Sequence, residues 1–209
     1  EESQLLDVGI IEFDAGVPEN NDPEETQIRA EIRDAESRYL AYHLKTTMQG
    51  SGHWGAVRVL PSAEAFTDII INGRIIQSNG EFIKLEATVT DTIGRHWFTQ
   101  VYETQTGLTS YSERRDRRDD PYQKVFNDIA NDVQAHVNAL EPAYVTRLQQ
   151  VSELKFFADM SPQAYGEHLA MSEEGLIEVQ RLPAENDPAV ARLRQIRERD
   201  RLVVDMLNE

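Results

Sequence analysis

The chain has 209 residues, 40% hydrophobic and 28% charged, which suits one domain with an extension or two small domains. Its 21 Lys and Arg face 37 Asp and Glu, and the resulting net charge of -16 repels phosphate backbones and anionic lipid head groups. There is no cysteine, which excludes disulfides, thiolate metal sites and cysteine nucleophiles within the chain, and no apolar run approaches the roughly 20 residues of a membrane helix.

Taken in order, Val8-Gly9-Ile10-Ile11-Glu12-Phe13 predicts a short buried strand that opens into a polar loop from Asp14 to Glu25. Residues 26–49 predict a long helix. Ile28, Ile32, Ala35, Tyr39, Tyr42 and Leu44 form its apolar face, and Arg29, Glu31, Arg33, Glu36 and Arg38 its charged one. Gly50-Ser51-Gly52 stops it. Residues 56–60 predict a second strand, closed by Pro61, with a short helical or turn segment at 62–66.

Residues 68–77, 81–90 and 95–104 predict a three-stranded meander. Asn79-Gly80 is a strong hairpin signal, because both residues tolerate the positive φ that a tight turn needs. Ile83, Leu85, Ala87 and Val89 alternate with Lys84, Glu86, Thr88 and Thr90, the pattern of a sheet with one buried and one wetter face.

Residues 112–120 hold no apolar side chain and predict an exposed linker. Everything after it reads as helical. Asp120-Pro121 is expected to open a helix with Phe126, Ile129, Ala130, Val133, Val137 and Leu140 on its apolar stripe. Glu141-Pro142 restarts the chain, with Tyr144, Leu148, Val151, Leu154 and Ala158 marking the next helix. Ser161-Pro162 is expected to open a third that ends near Gly175. Asp187-Pro188 opens a fourth, with Leu193, Ile196, Val203, Val204 and Leu207 on its apolar side. The fold class is therefore α/β (α+β): a mixed sheet in the order β-α-β-(α)-β-β-β-α over residues 1–140, and a helical extension over 141–209. The chain opens on Glu1 without methionine and ends in helical pattern, which reads as a fragment or a processed form.

The opening strand 8–13, the helix 26–49, the string Trp54-Gly55-Ala56-Val57-Arg58-Val59 and the glycine-bearing run Asp68-Ile69-Ile70-Ile71-Asn72-Gly73-Arg74-Ile75 together resemble a known domain. It is the small α/β domain of bacterial envelope proteins: the amino-terminal domain of TolB, the curli-secretion lipoproteins and the lipoprotein activators of penicillin-binding proteins. Trp54-Gly55-Ala56-Val57 and Ile196-Arg197-Glu198-Arg199-Asp200 also resemble a group of proteobacterial lipoproteins with no assigned chemistry. The resemblance spans about residues 7–140 and leaves the tail unmatched. It implies a non-enzymatic, periplasmic protein held at the outer membrane by a lipidated cysteine upstream of Glu1.

The residues themselves supply no catalytic constellation. No two of His43, His53, His96, His136 and His168 are three or four positions apart, so no helical metal pair exists, and no cofactor is expected. Ser51 and His53 share a loop, but a triad base must be oriented separately. The acidic loop with Asp14, Glu19, Asp22, Glu24 and Glu25 lacks the alternate spacing and turn glycine of a calcium loop. Arg114, Arg115, Arg117 and Arg118 form the basic cluster of the chain, although Glu113, Asp116, Asp119 and Asp120 flank it. Trp97, Phe98 and Tyr102 share a strand, and neighbours on a strand face opposite sides, so either Trp97 or Phe98 must lie under a helix or on a binding patch. Trp97, Phe98, Tyr102 and the four arginines are thus the candidate partner-binding residues. The expected role is a non-catalytic interaction or assembly module that binds a protein partner or itself, with no nucleic acid. An envelope hydrolase built from carboxylates and His53 or His96 is the alternative.

Overall fold

A computed structural model of the protein describes residues 5–16, 23–61, 66–78, 82–105, 122–184 and 186–207. The Asn79-Gly80 turn, the segment 62–65 and the charged linker 112–120 lie outside the described residues, as do the side chains of Ile28, Arg29, Glu31, Val203, Val204 and Leu207. The elements are β1 (Val8–Ile11), α1 (Pro23–Ser51), β2 (Val57–Leu60), β3 (Ile69–Ser78), β4 (Phe82–Asp91), β5 (His96–Gln105), α2 (Gln123–Asn138) and α3 (Pro142–Met160). They continue through α4 (Pro162–Tyr165), β6 (Leu169–Met171), β7 (Ile177–Val179) and α5 (Pro188–Leu207).

The large sheet runs β2-β1-β3-β4-β5. β1 pairs parallel with β2 and β3, whereas β3, β4 and β5 form the expected antiparallel meander, within one residue of the predicted limits. Gly73 sits inside β3 because Phe13 lies against it: a Cβ there would meet the Phe13 ring at 2.5 Å. Ile83, Leu85, Ala87 and Val89 are buried as their alternation requires. Across the open face run Arg74–Glu86 and Lys84–Glu103 ion pairs at 3.1 and 2.9 Å, with Thr88 and Thr99 hydroxyls 2.9 Å apart.

α1 and α2 lie side by side on the other face, but α1 is turned against expectation. It starts at Pro23, inside the predicted loop, where a first-turn proline loses no hydrogen bond. Its buried side chains are Ser37, Leu40, Ala41, Leu44 and Met48, while Ile32, Ala35, Tyr39 and Tyr42 point to solvent. At about 100° per residue the helix carries two apolar stripes on opposite sides. The aliphatic stripe takes the sheet, where small and flexible side chains pack closely. The tyrosines can face water because their hydroxyls stay solvated. Gly52, at φ 69°, ends the helix in the left-handed region.

α2 buries Val125, Phe126, Ile129, Ala130 and Val133. Its first residue is Gln123 and its N-cap is Tyr122, which makes no side-chain cap, while the expected Asp120-Pro121 start lies outside the described residues. Trp97 is the extra residue of a β-bulge, since Thr90 pairs with His96 and Val89 with Phe98. A bulge resets the alternation locally. Both Trp97 and Phe98 consequently pack against His136 of α2, with ring centroids at 4.4 and 6.1 Å.

The β4–β5 turn is built on Asp91, which is 2% exposed. Its Oδ1 accepts the N–H groups of Ile93, Gly94 and Arg95 at 3.0 Å, and its Oδ2 accepts Trp97 Nε1 at 2.9 Å and Tyr144 Oη at 2.6 Å. The last bond ties α3 across the end of the sheet, where Leu148 and Val151 join the main core. The other side of α3 forms a second cluster, Leu154, Phe156 and Phe157 with Tyr165 and Val190.

The helix expected from Ser161 to near Gly175 is instead the single turn of α4, a 3-10 turn at Gly166–His168 and the β6–β7 hairpin. Gly175, at φ 78°, makes the turn, and the Ile177 N–H donates to the Ile93 carbonyl at 2.8 Å. That bond joins the hairpin to the Asp91 turn, a tertiary reward that no local spacing advertises.

Asp91→Ala orphans three backbone donors, an indole and a phenol. We expect a loss of about 3 to 5 kcal/mol in urea unfolding, against about 1 to 2 kcal/mol for Tyr144→Phe. Equal, small losses in the two variants would refute the hub role.

Candidate functional site

β1, β2 and β3 all begin at the end of the sheet that α3 crosses, which brings the residues before each strand together. Asp7, Ala56 and Asp68 line the floor of a cleft of about 760 Å³, with Ser152 and Glu153 of α3 and Arg194 and Arg197 of α5 on its far wall. Arg58, on β2, is 5% exposed and lines the same cleft.

The floor is a wired set of polar groups. Asp68 Oδ2 accepts the Asp7 N–H at 2.8 Å and its Oδ1 accepts the Ser152 hydroxyl at 2.5 Å. Asp7 Oδ1 accepts the Ala56 N–H at 2.9 Å. Arg197 Nη2 donates to the Phe66 carbonyl at 2.9 Å and to Ser152 Oγ at 3.2 Å. Arg194 grips Glu153 through two bonds, at 2.7 and 3.0 Å, so α5 is fastened to α3 by two guanidinium groups. Burial pushes the Asp68 carboxyl above its ordinary value of 3.8, while the Ser152 hydroxyl and the Asp7 N–H pull against that rise. Burial likewise lowers the ammonium pKa of Lys155, which sits beside the Thr92 carbonyl and is partly held up by Asp91. Burial and the Asp91 carboxylate raise the Tyr144 phenol.

Chemically, Arg194 and Glu153 are engaged with one another, and Arg197 and Asp68 share the Ser152 hydroxyl between them. No histidine lines the cleft. His53 is exposed, and His96 sits 2.8 Å from the Thr99 hydroxyl on the open face. His168, in a smaller cleft, donates from Nδ1 to the Arg181 carbonyl at 2.9 Å. In that cleft Asp187 caps α5 through Ala189 N–H at 2.8 Å and accepts the Tyr165 phenol at 3.2 Å. Among the described residues no three His, Asp or Glu side chains are grouped so as to hold a metal ion.

Of the residues singled out from sequence, Trp97, Phe98 and Tyr102 come together under α2. Trp97 and Phe98 are half-buried, and Tyr102 is buried with its phenol donating to Asp132 at 2.8 Å. They form the seam between β5 and α2. Arg114, Arg115, Arg117 and Arg118 lie outside the described residues, as do Glu19 and Asp22 of the acidic loop. Asp7, Arg58, Asp68, Ser152 and Arg197 escaped sequence reasoning. The one local sign was a charged residue at the mouth or centre of an apolar strand, as in Asp68 before Ile69-Ile70-Ile71 and Arg58 between Val57 and Val59.

No family model matches the chain, and no curated protein is similar to it in sequence. Among solved structures, a dodecamer of a PelC variant from Paraburkholderia phytofirmans aligns over 66% of this chain and 91% of that one, with 13% identity and a TM-score of 0.41. At that level the likeness speaks to neither site nor partner.

Asp68→Asn tests the floor. The amide keeps one acceptor for the Asp7 N–H and offers a donor to Ser152, which can turn to the Gln149 carbonyl 3.1 Å away. We expect a change within about 2 kcal/mol at neutral pH. A folded pKa above the unfolded 3.8 means that Asp68 favours folding most at pH below 3.8, and that this contribution fades as pH rises through the folded pKa. On acidification towards 3.8 the wild type should therefore gain stability relative to Asp68→Asn. Chemical denaturation across that range measures the gap, and a gap moving the opposite way contradicts the assignment.

Proposed function

We propose that the chain is a non-catalytic docking module of the bacterial envelope, which holds a protein partner along the outward face of α1. The observation that carries this reading is the second apolar stripe of that helix. Ile32 and Tyr39 are 55% and 58% exposed, and Tyr42 is 37% exposed, in line with Ala35. Positions 32, 35, 39 and 42 fall at i, i+3, i+7 and i+10, the spacing of a helix–helix seam. Solvent alone does not select such a row, and tyrosine is a favoured anchor in protein interfaces.

The occupant that fits is an amphipathic helix of the partner, laid along the seam with its own apolar residues between the tyrosines. The flanks carry both signs, with Arg38 bonded to Asp34 at 3.0 Å and Lys45 over the Tyr42 ring at 6.0 Å. A partner helix with mixed charges on its shoulders meets that rim without like-charge contact. The cleft supports a non-catalytic role as well, because its deepest carboxylate and its serine are bonded to each other and to the backbone. The envelope setting, with a lipid anchor at the outer membrane, comes from the resemblance in element order to the periplasmic α/β domains of envelope lipoproteins.

A double variant, Ile32→Glu with Tyr39→Glu, changes surface positions only. Its unfolding free energy should stay within about 1 kcal/mol of wild type. A photoreactive side chain at Ala35 should cross-link a partner in the native envelope in the wild type and lose that product in the double variant. The same product at full yield in both proteins sinks the proposal.

A further inference from the structure

We infer that the outer edge of β5 is a self-pairing surface, at which a second copy of this chain adds its own β5 in antiparallel register. β5 ends the strand order, and no described strand pairs with its far side. The inference stands apart from the α1 face, because it uses the opposite kind of contact, backbone against backbone.

A free edge presents a row of unpaired N–H and C=O groups, and proteins usually blunt such rows with short strands, lysine, proline or a central bulge. The opposite edge obeys that rule: β2 has four residues and carries Arg58 at its centre. β5 does not obey it. It runs for ten residues, His96–Gln105, with no proline and no lysine. Its bulge is confined to Trp97, near the Asp91 turn, and the pairing from Phe98 to Gln105 is regular. In a chain that is 28% charged, the strand holds one charged side chain, Glu103, and Lys84 neutralises it at 2.9 Å.

The chemistry of the edge asks for an extended backbone, and charge selects whose. The strand's one charge is already paired, so β5 adds little to the repulsion between two acidic bodies, and the carboxylates beside it, Asp128 and Asp132, belong to α2. Antiparallel addition continues the β3-β4-β5 meander. A two-fold axis at Val101 sets this residue, 43% exposed and aliphatic, against its own counterpart. The same axis places each Glu103 opposite a Thr99 hydroxyl, so the two carboxylates do not meet.

The absence of cysteine makes the test clean. In the proposed register the two Val101 Cα atoms fall within the roughly 7 Å that a disulfide tolerates, while the two Thr99 positions are about 13 Å apart along the strand. Val101→Cys should give a covalent dimer on mild oxidation, about tenfold faster than Thr99→Cys, because one geometry permits the bond and the other forbids it. The wild type should sediment as a dimer at micromolar concentration, more completely as salt screens two bodies of charge -16. Val101→Lys should sediment as a folded monomer. Ile32→Glu with Tyr39→Glu should dimerise like wild type, which separates this surface from the α1 face. Equal oxidation at 99 and 101, or a wild-type monomer at every salt concentration, overturns the inference.

Discussion

Two buried aspartates hold the helical part of the chain to the sheet. Asp68 stands at the start of β3 and Asp91 at the end of β4, on neighbouring strands, with the Thr92 N–H donating to the Asp68 carbonyl at 2.9 Å. Each carboxylate takes a hydroxyl from α3: Ser152 for Asp68 and Tyr144 for Asp91. A buried carboxylate without donors is costly, so each one defines a geometry that only a correctly placed α3 satisfies. Two such points eight residues apart on one helix fix both its rotation and its slide. Apolar packing by Leu148 and Val151 between them supplies the attraction, whereas the aspartates supply the address.

The rest of the lower end follows from that docking. Once α3 is seated, its far side offers Leu154, Phe156 and Phe157, and these collect Tyr165 and Val190. Arg194 and Arg197 then find Glu153 and Ser152 on the same helix. α5 thus rests on α3, and the cleft is the space left where α3 and α5 overhang the beginnings of three parallel strands. Its polar lining follows from this origin, because strand starts and helix flanks bring backbone donors and charged side chains to one place.

Much of this was legible in the residues. The alternation of Ile83 to Val89 declared the meander and its buried face, and the stripe of Phe126 to Val133 declared α2. The failures share a cause. α1 has apolar side chains on opposite sides, and nothing local says which side meets the sheet; the bulkier, more conspicuous tyrosine stripe won the reading and lost the core. α3 is apolar on two faces because it lies between two clusters. The β6–β7 hairpin was hidden because three-residue strands carry little pattern, and its anchor, the Ile93 carbonyl, is remote in sequence. The cleft was invisible for the same reason: Asp7, Asp68 and Ser152 mean nothing until the chain brings them together. Trp97 and Phe98 posed a puzzle of alternation that a one-residue bulge resolves.

The two proposed contact surfaces are backed by buried packing in one case and regular strand pairing in the other. The outward face of α1 is fixed by Leu40, Ala41, Leu44 and Met48 beneath it, all 4% exposed or less. The register of β5 is fixed by eight regular pairs with β4 and by the Asp91 turn at its root. Rigid elements lose little conformational freedom on association, so weak individual contacts suffice. Net charge then acts as a filter. A body at -16 keeps most acidic neighbours at a distance, and its few low-charge strips are where close approach costs least. On this chain the tyrosine row and the β5 edge both present hydrophobic or backbone groups at the surface. Exposure on a well-backed helix face or strand edge is the physical ground for reading them as interfaces.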